Sequence, residues 1–138
     1  MNTQTYKQYS NAFVWLKDGK PHREDGPSIV FFSGRKDWLL NNKRHREDGP
    51  AIIYPNGEKE WWVNGKRHND NGPAVYYKNK LEWWKDGKRH REDGPAVEFL
   101  NGYCEWWING KPHREDGPAI QYQEYDEWWI NGVEQEHE

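Results

Sequence analysis

The chain has 138 residues, 33% of them hydrophobic and 16% aromatic with ten Trp, and its 20 basic and 23 acidic side chains leave a net charge of -3. So many aromatics exclude a disordered chain, which lacks them, and no apolar run is long enough to cross a membrane as a helix. Charges of both signs are interspersed, which gives no electrostatic case for nucleic acid or membrane insertion, and a single cysteine, Cys104, excludes an internal disulfide framework and fits the cytoplasm.

Residues 1–12 read as an N-terminal cap with no signal-peptide core, 13–132 as repeats and 133–138 as an acidic tail, together one domain over 1–138. The repeat is marked by Gly-Pro at Gly26-Pro27, Gly49-Pro50, Gly72-Pro73, Gly94-Pro95 and Gly117-Pro118, at spacings of 23, 23, 22 and 23 residues. His22, His45, His68, His90 and His113 keep that period, and a Trp opens each unit at Trp15, Trp38, Trp61, Trp83, Trp106 and Trp128. His137 falls out of register, so the sixth unit stops short.

Within a unit, Gly-Pro is followed by a small residue and then by apolar residues two apart, such as Ile52/Tyr54 and Val97/Phe99, which share one face of a strand. A hairpin turn follows, as in "PNGE" and "LNGY", and then a second strand typified by "EWWV". Asn-Gly or Asp-Gly closes that strand at Asp18-Gly19, Asn64-Gly65, Asp86-Gly87, Asn109-Gly110 and Asn131-Gly132. In "YYKNKLEWW" and "QYQEYDEWW" the first hairpin loses one residue and its Gly, where a length change is cheapest. The fold expected is all-β: an elongated, twisted antiparallel meander of about five 23-residue hairpin units, two strands each, in a single layer. At ~4.8 Å per strand each unit advances about 10 Å.

The loop His-Arg-Glu-Asp places an imidazole, a guanidinium and two carboxylates side by side. Histidines of successive units lie about 10 Å apart, too far to share a metal whose ligands sit at ~2 Å. The third loop reads His68-Asn69-Asp70-Asn71 and keeps the period, which argues against a catalytic set needed in every copy. No catalytic residue, metal site or cofactor is therefore assigned. Asp before Gly-Pro reads as turn chemistry, and Arg and Glu as an ion-pair ladder between adjacent units, with His donating to a neighbouring carbonyl.

Adjacent strand residues point to opposite faces, so each Trp pair puts one ring on each side. The first position is Trp in all six units, as in a core slot, while the second is Leu16, Leu39, Trp62, Trp84, Trp107 and Trp129. The second row is either buried by coiling, covered by Lys stems, or presented to a partner.

"WVNGKRH" (62–68) and "WKDGKRH" (84–90) resemble the core of the MORN repeat. Where that family continues Gly-x-Gly after His, this chain has Arg-Glu-Asp-Gly-Pro-Ala, which is more similar to the "HREDGPA" variant repeats of bacterial, phage and giant-virus proteins. The resemblance implies a hairpin ribbon used for protein association, and a bacterial antitoxin or a phage-encoded inhibitor of a host protein as its setting. The expectation is thus a non-enzymatic scaffold whose partner is another protein. Trp62, Trp84, Trp107 and Trp129 anchor it, and Arg46, Glu47, Arg91, Glu92, Arg114 and Glu115 select it by charge. A nucleotide- or sugar-binding module using Trp stacking and loop Arg, and a self-associating homodimer, are the alternatives.

Overall fold

The computed structural model describes residues 4–136; the first three residues of the cap and the last two of the tail, His137 included, lie outside them. The described residues form strands and turns and no helix, so none is present that is long and apolar enough to cross a membrane. The chain divides into two compact units, 1–67 and 68–138.

In the first unit the cap strand Gln4–Gln8 pairs with Ala12–Lys17, and the meander continues through Ile29–Phe31, Lys36–Asp37, Ile52–Ile53 and Lys59–Glu60. In the second it runs through Val75–Tyr76, Lys80–Glu82, Val97–Phe99, Cys104–Glu105, Ile120–Tyr122 and Tyr125–Ile130. Every described pairing is antiparallel. This is the hairpin meander that the period predicts.

The inner repeats hold four short strand segments where two were expected, because the second strand breaks at its first Trp and a further short strand follows. After the first Trp the chain enters a small hairpin: Leu39–Leu40 with Lys43–Arg44, Trp62–Val63 with Lys66–Arg67, Trp84–Lys85 with Lys88–Arg89, and Trp107–Ile108 with Lys111–Pro112. The first Trp is where the strand changes partner. The Trp38 N–H donates to Ala51 O at 2.7 Å in the meander, while its carbonyl accepts the His45 N–H at 3.1 Å in the hairpin. Trp83 and Trp106 do the same with Ala96 and His90, and with Ala119 and His113.

The turn chemistry explains both hairpins. Asn64 and Gly65 have φ of 50° and 77°, and Asn109 and Gly110 have 50° and 78°, the two positive values that a type I′ turn demands. Asn41-Asn42 reaches the same conformation at 50° and 65° without glycine, which Asn tolerates best after Gly. In "PNGE" only Gly57 is positive, so that turn is the three-residue kind closed by a glycine bulge. The shortened loop at Lys78-Asn79 closes directly, Tyr77 N–H to Lys80 O at 2.9 Å.

Residues directly opposite in an antiparallel pair share a face. Ile52 lies opposite both Asp37 and Glu60, and Val97 opposite both Glu82 and Glu105. One face therefore carries a row in which aliphatic side chains alternate with carboxylates. Ile52, Val75 and Val97 are buried, and so are Asp37, Glu60 and Glu82 at 2–3% exposure. Ser28, Ala51, Ala74, Ala96 and Ala119 complete the core at 0% exposure, and the carbonyls of Ser28, Ala51, Ala96 and Ala119 accept the N–H of Trp15, Trp38, Trp83 and Trp106. The described first-row Trp rings are half-buried, and the fully buried positions beside them are small residues.

Candidate partner-binding faces

The loop arginine is the centre of its own loop. Arg23, Arg46, Arg91 and Arg114 lie 4.0, 4.1, 3.8 and 4.0 Å over the rings of Trp15, Trp38, Trp83 and Trp106, the cation–π geometry that guanidinium favours. In each, Nε donates to the Asp two residues on at 2.9–3.1 Å, and Nη1 donates to the carbonyl of the loop proline at 3.0–3.2 Å. Asn69 substitutes in the third loop by the same logic: its Nδ2 donates to Pro73 O at 2.8 Å and its Oδ1 accepts the Asn71 N–H at 3.1 Å.

The expected ion-pair ladder between units is thus replaced by pairs within each loop. An Asp two residues away needs no extra chain ordering, whereas the next loop is about two strand spacings distant, ~10 Å. Arg91 also reaches Glu98 on the following strand at 3.0 Å. The histidine locks the loop, but as an acceptor. Nδ1 of His22, His45, His68, His90 and His113 accepts the turn N–H of Asn41, Asn64, Asp86, Asn109 and Asn131 in the next hairpin at 2.9–3.0 Å. That bond fixes the tautomer, leaving Nε2–H facing the loop acid. For His90 and Glu92 this distance is 3.3 Å.

Of the residues assigned to partner binding at the loop edge, Arg46, Arg91 and Arg114 are therefore largely committed to their own Trp and proline. Glu47, Glu92 and Glu115 project outward with side chains 79%, 83% and 82% exposed. Among the described residues no group of three or more His, Cys, Asp or Glu is gathered to hold a metal ion.

The second-row Trp residues lie on the carboxylate face. Trp62 Nε1 donates to Glu60 Oε1 at 3.1 Å, Trp107 Nε1 to Glu105 at 2.9 Å and Trp129 Nε1 to Glu127 at 2.7 Å. All four second-row rings are half-buried, and arginines lie over three of them, Trp62, Trp84 and Trp107. Arg44 and Arg67 sit 5.4 and 5.3 Å over Trp62, and Arg89 lies 5.3 Å from Trp84 and 5.2 Å from Trp107. A cleft between Trp84 and Trp107 is lined with them by Lys88, Arg89, Gly110 and Lys111, with no acidic side chain.

The carboxylates beneath these rings were not singled out from sequence. Asp37 accepts from Nε and Nη2 of Arg35 at 2.8 and 2.9 Å, which raises the Arg35 pKa. Glu60 accepts Tyr54 Oη at 2.7 Å and Arg67 at 3.1 Å, and Glu82 pairs with Arg89 at 2.9 Å and Lys80 at 3.3 Å. Glu127 accepts Tyr125 Oη, which holds that phenol above its ordinary range, and Tyr122 is raised chiefly by burial. The available signal was periodic: an acid precedes the first Trp at Asp37, Glu60, Glu82, Glu105 and Glu127. The chain matches no protein-family model, and no curated protein is significantly similar to it.

Proposed function

We propose that this chain is a non-enzymatic, cytoplasmic repeat scaffold that binds another protein through its second-row tryptophans, Trp62 in the first unit and Trp84, Trp107 and Trp129 in the second. The observation that carries the reading is the cleft in which Trp84 and Trp107 flank Arg89, since Trp and Arg are the residues that dominate interface hot spots. The loop edge adds support of a different kind: its exposed Glu47, Glu92 and Glu115 suit charge steering of an approaching partner. The polar groups that first suggested chemistry are spent on the loop, with His Nδ1 on a backbone N–H and Arg on Trp, Asp and carbonyl. A setting as an antitoxin or as an inhibitor of a host protein rests on the resemblance to variant MORN repeats alone.

The test is affinity capture from a bacterial lysate by the wild-type chain and by a folded Trp84→Ala, Trp107→Ala variant. Loss of a specific partner from the variant supports the assignment. The same partners at the same yield from both proteins would overturn it.

A further inference from the structure

On the carboxylate face each small hairpin brings one residue opposite the second-row position: Arg44 opposite Leu39, Arg67 opposite Trp62 and Arg89 opposite Trp84. These guanidiniums reach the buried acid of their own repeat, Asp37 at 4.0 Å, Glu60 at 3.1 Å and Glu82 at 2.9 Å, and stack on second-row rings. Acid, indole and guanidinium thus form one recurring unit.

The last two repeats keep the acid and the indole but not the cation. Pro112 stands opposite Trp107, and Glu134 stands opposite Trp129. Among the described residues no cation pairs with Glu105, Glu127 or Glu134. Glu105 keeps the Trp107 indole and the Tyr122 hydroxyl, and Glu127 keeps the Trp129 indole and the Tyr125 hydroxyl. Lys111 is the nearest base in the hairpin, and its stem lies along the Gly132 turn. Glu127 and Glu134 also line a cleft with Asp126, Trp128 and Glu136 that has no basic side chain in its wall.

Register fixes the geometry of the incomplete site. Glu105 and Glu127 both lie opposite Ile120, so Trp107 and Trp129, each two residues further on, occupy matching positions two strands apart. Two strand spacings are about 10 Å. That is the separation at which Arg89 fits between Trp84 and Trp107, with 5.3 and 5.2 Å to the two rings. The first repeat shows the converse: Pro21 also replaces the arginine there, but Val14 replaces the acid and Leu16 the indole, so nothing is left unmatched.

We infer that the slot bounded by Trp107, Trp129, Glu105, Glu127 and Glu134 receives an arginine side chain from the partner protein. The guanidinium would stack between the indoles and pair with Glu105, as Arg89 does with Glu82 one repeat earlier. Arginine is preferred to lysine because a planar fork can stack and pair at once, which an ammonium cannot. The inference rests on the protein-binding reading and specifies what that partner carries.

The test titrates the full chain with tetra-arginine and with tetra-lysine peptides at fixed ionic strength, followed by Trp fluorescence, for the wild type, Glu105→Gln and Pro112→Arg. Pro112→Arg supplies the guanidinium from the chain itself, as three other hairpins do, and urea unfolding confirms that it folds. The expected result is that tetra-arginine binds the wild type about tenfold more tightly than tetra-lysine, and that both variants lose that preference. Equal binding of the two peptides, or an unchanged preference in Pro112→Arg, would overturn the slot. A mass that rises with concentration in the wild type but not in Pro112→Arg would also overturn it, by assigning the arginine to a second copy. Any of these with partner capture intact leaves the protein-binding reading standing.

Discussion

Gly94→Ala measures what the loop arginine contributes. A Cβ at Gly94 would lie 2.8 Å from Arg91 Cζ and 3.0 Å from Nη1, closer than real contacts allow. Because the Gly94 φ is outside the left-handed range, the substitution strains no backbone, and the guanidinium must move instead. Moving it gives up a stack on Trp83 worth about 0.5–2 kcal/mol and part of a charged hydrogen bond to Pro95 O worth about 1.5–3 kcal/mol. The pair with the outward-facing Asp93 adds little, and the stiffer unfolded chain returns about 0.4–1 kcal/mol. The net expectation is a loss of about 1–3 kcal/mol. Gly72→Ala is the control, since its nearest neighbours are Tyr76 Oη at 3.3 Å and Asn69 Nδ2 at 4.0 Å, and it should stay within about 0.5 kcal/mol. Urea unfolding of both variants, and of Gly94→Ala in an Arg91→Ala background, decides the matter. Equal costs at the two glycines, or a Gly94 cost that persists without Arg91, would refute the reasoning.

His90→Leu should expose the Asn109 amide to faster hydrogen exchange and cost about 1 kcal/mol, while His90→Asn, which retains an acceptor near Nδ1, should cost less. Glu82→Ala leaves Arg89 and Lys80 beside a buried site without their carboxylate, so a loss of about 2–4 kcal/mol in urea unfolding is expected. Burial holds the Cys104 thiol above its ordinary range, so alkylation by iodoacetamide should begin at higher pH in the folded than in the urea-unfolded chain. By linkage, that stabilisation is complete below the ordinary thiol pKa and is lost as pH rises through the folded value, because the unfolded chain ionises first.

What was legible in the sequence was local or periodic. Asn-Gly placed the type I′ turns, and the alternation of Ile52 with Tyr54 placed one face, because both depend on neighbours a few residues apart. The stack of Arg91 on Trp83 was not legible: eight residues and a complete hairpin separate them, and only the folded hairpin returns the guanidinium to the ring. Buried carboxylates escaped for a related reason. On a chain this polar an acid before a tryptophan reads as solvated, and its burial follows only once register sets Glu60 beside Ile52 and under Arg67 and Tyr54. The contacts of the His-Arg-Glu-Asp loop are not legible in the string, since a ladder between units and a pair within a loop leave the same residues in it. The assignment of Trp62 and its counterparts to recognition comes from the residue type, and the structure adds the arginines and acids that surround them.

The protein-binding role of the second Trp row is tested most directly by titrating a captured partner against the wild-type chain and a folded Trp107→Ala variant. The expected result is a Kd raised by about 30-fold or more, as for a hot-spot residue worth at least about 2 kcal/mol. An affinity unchanged within twofold would contradict it.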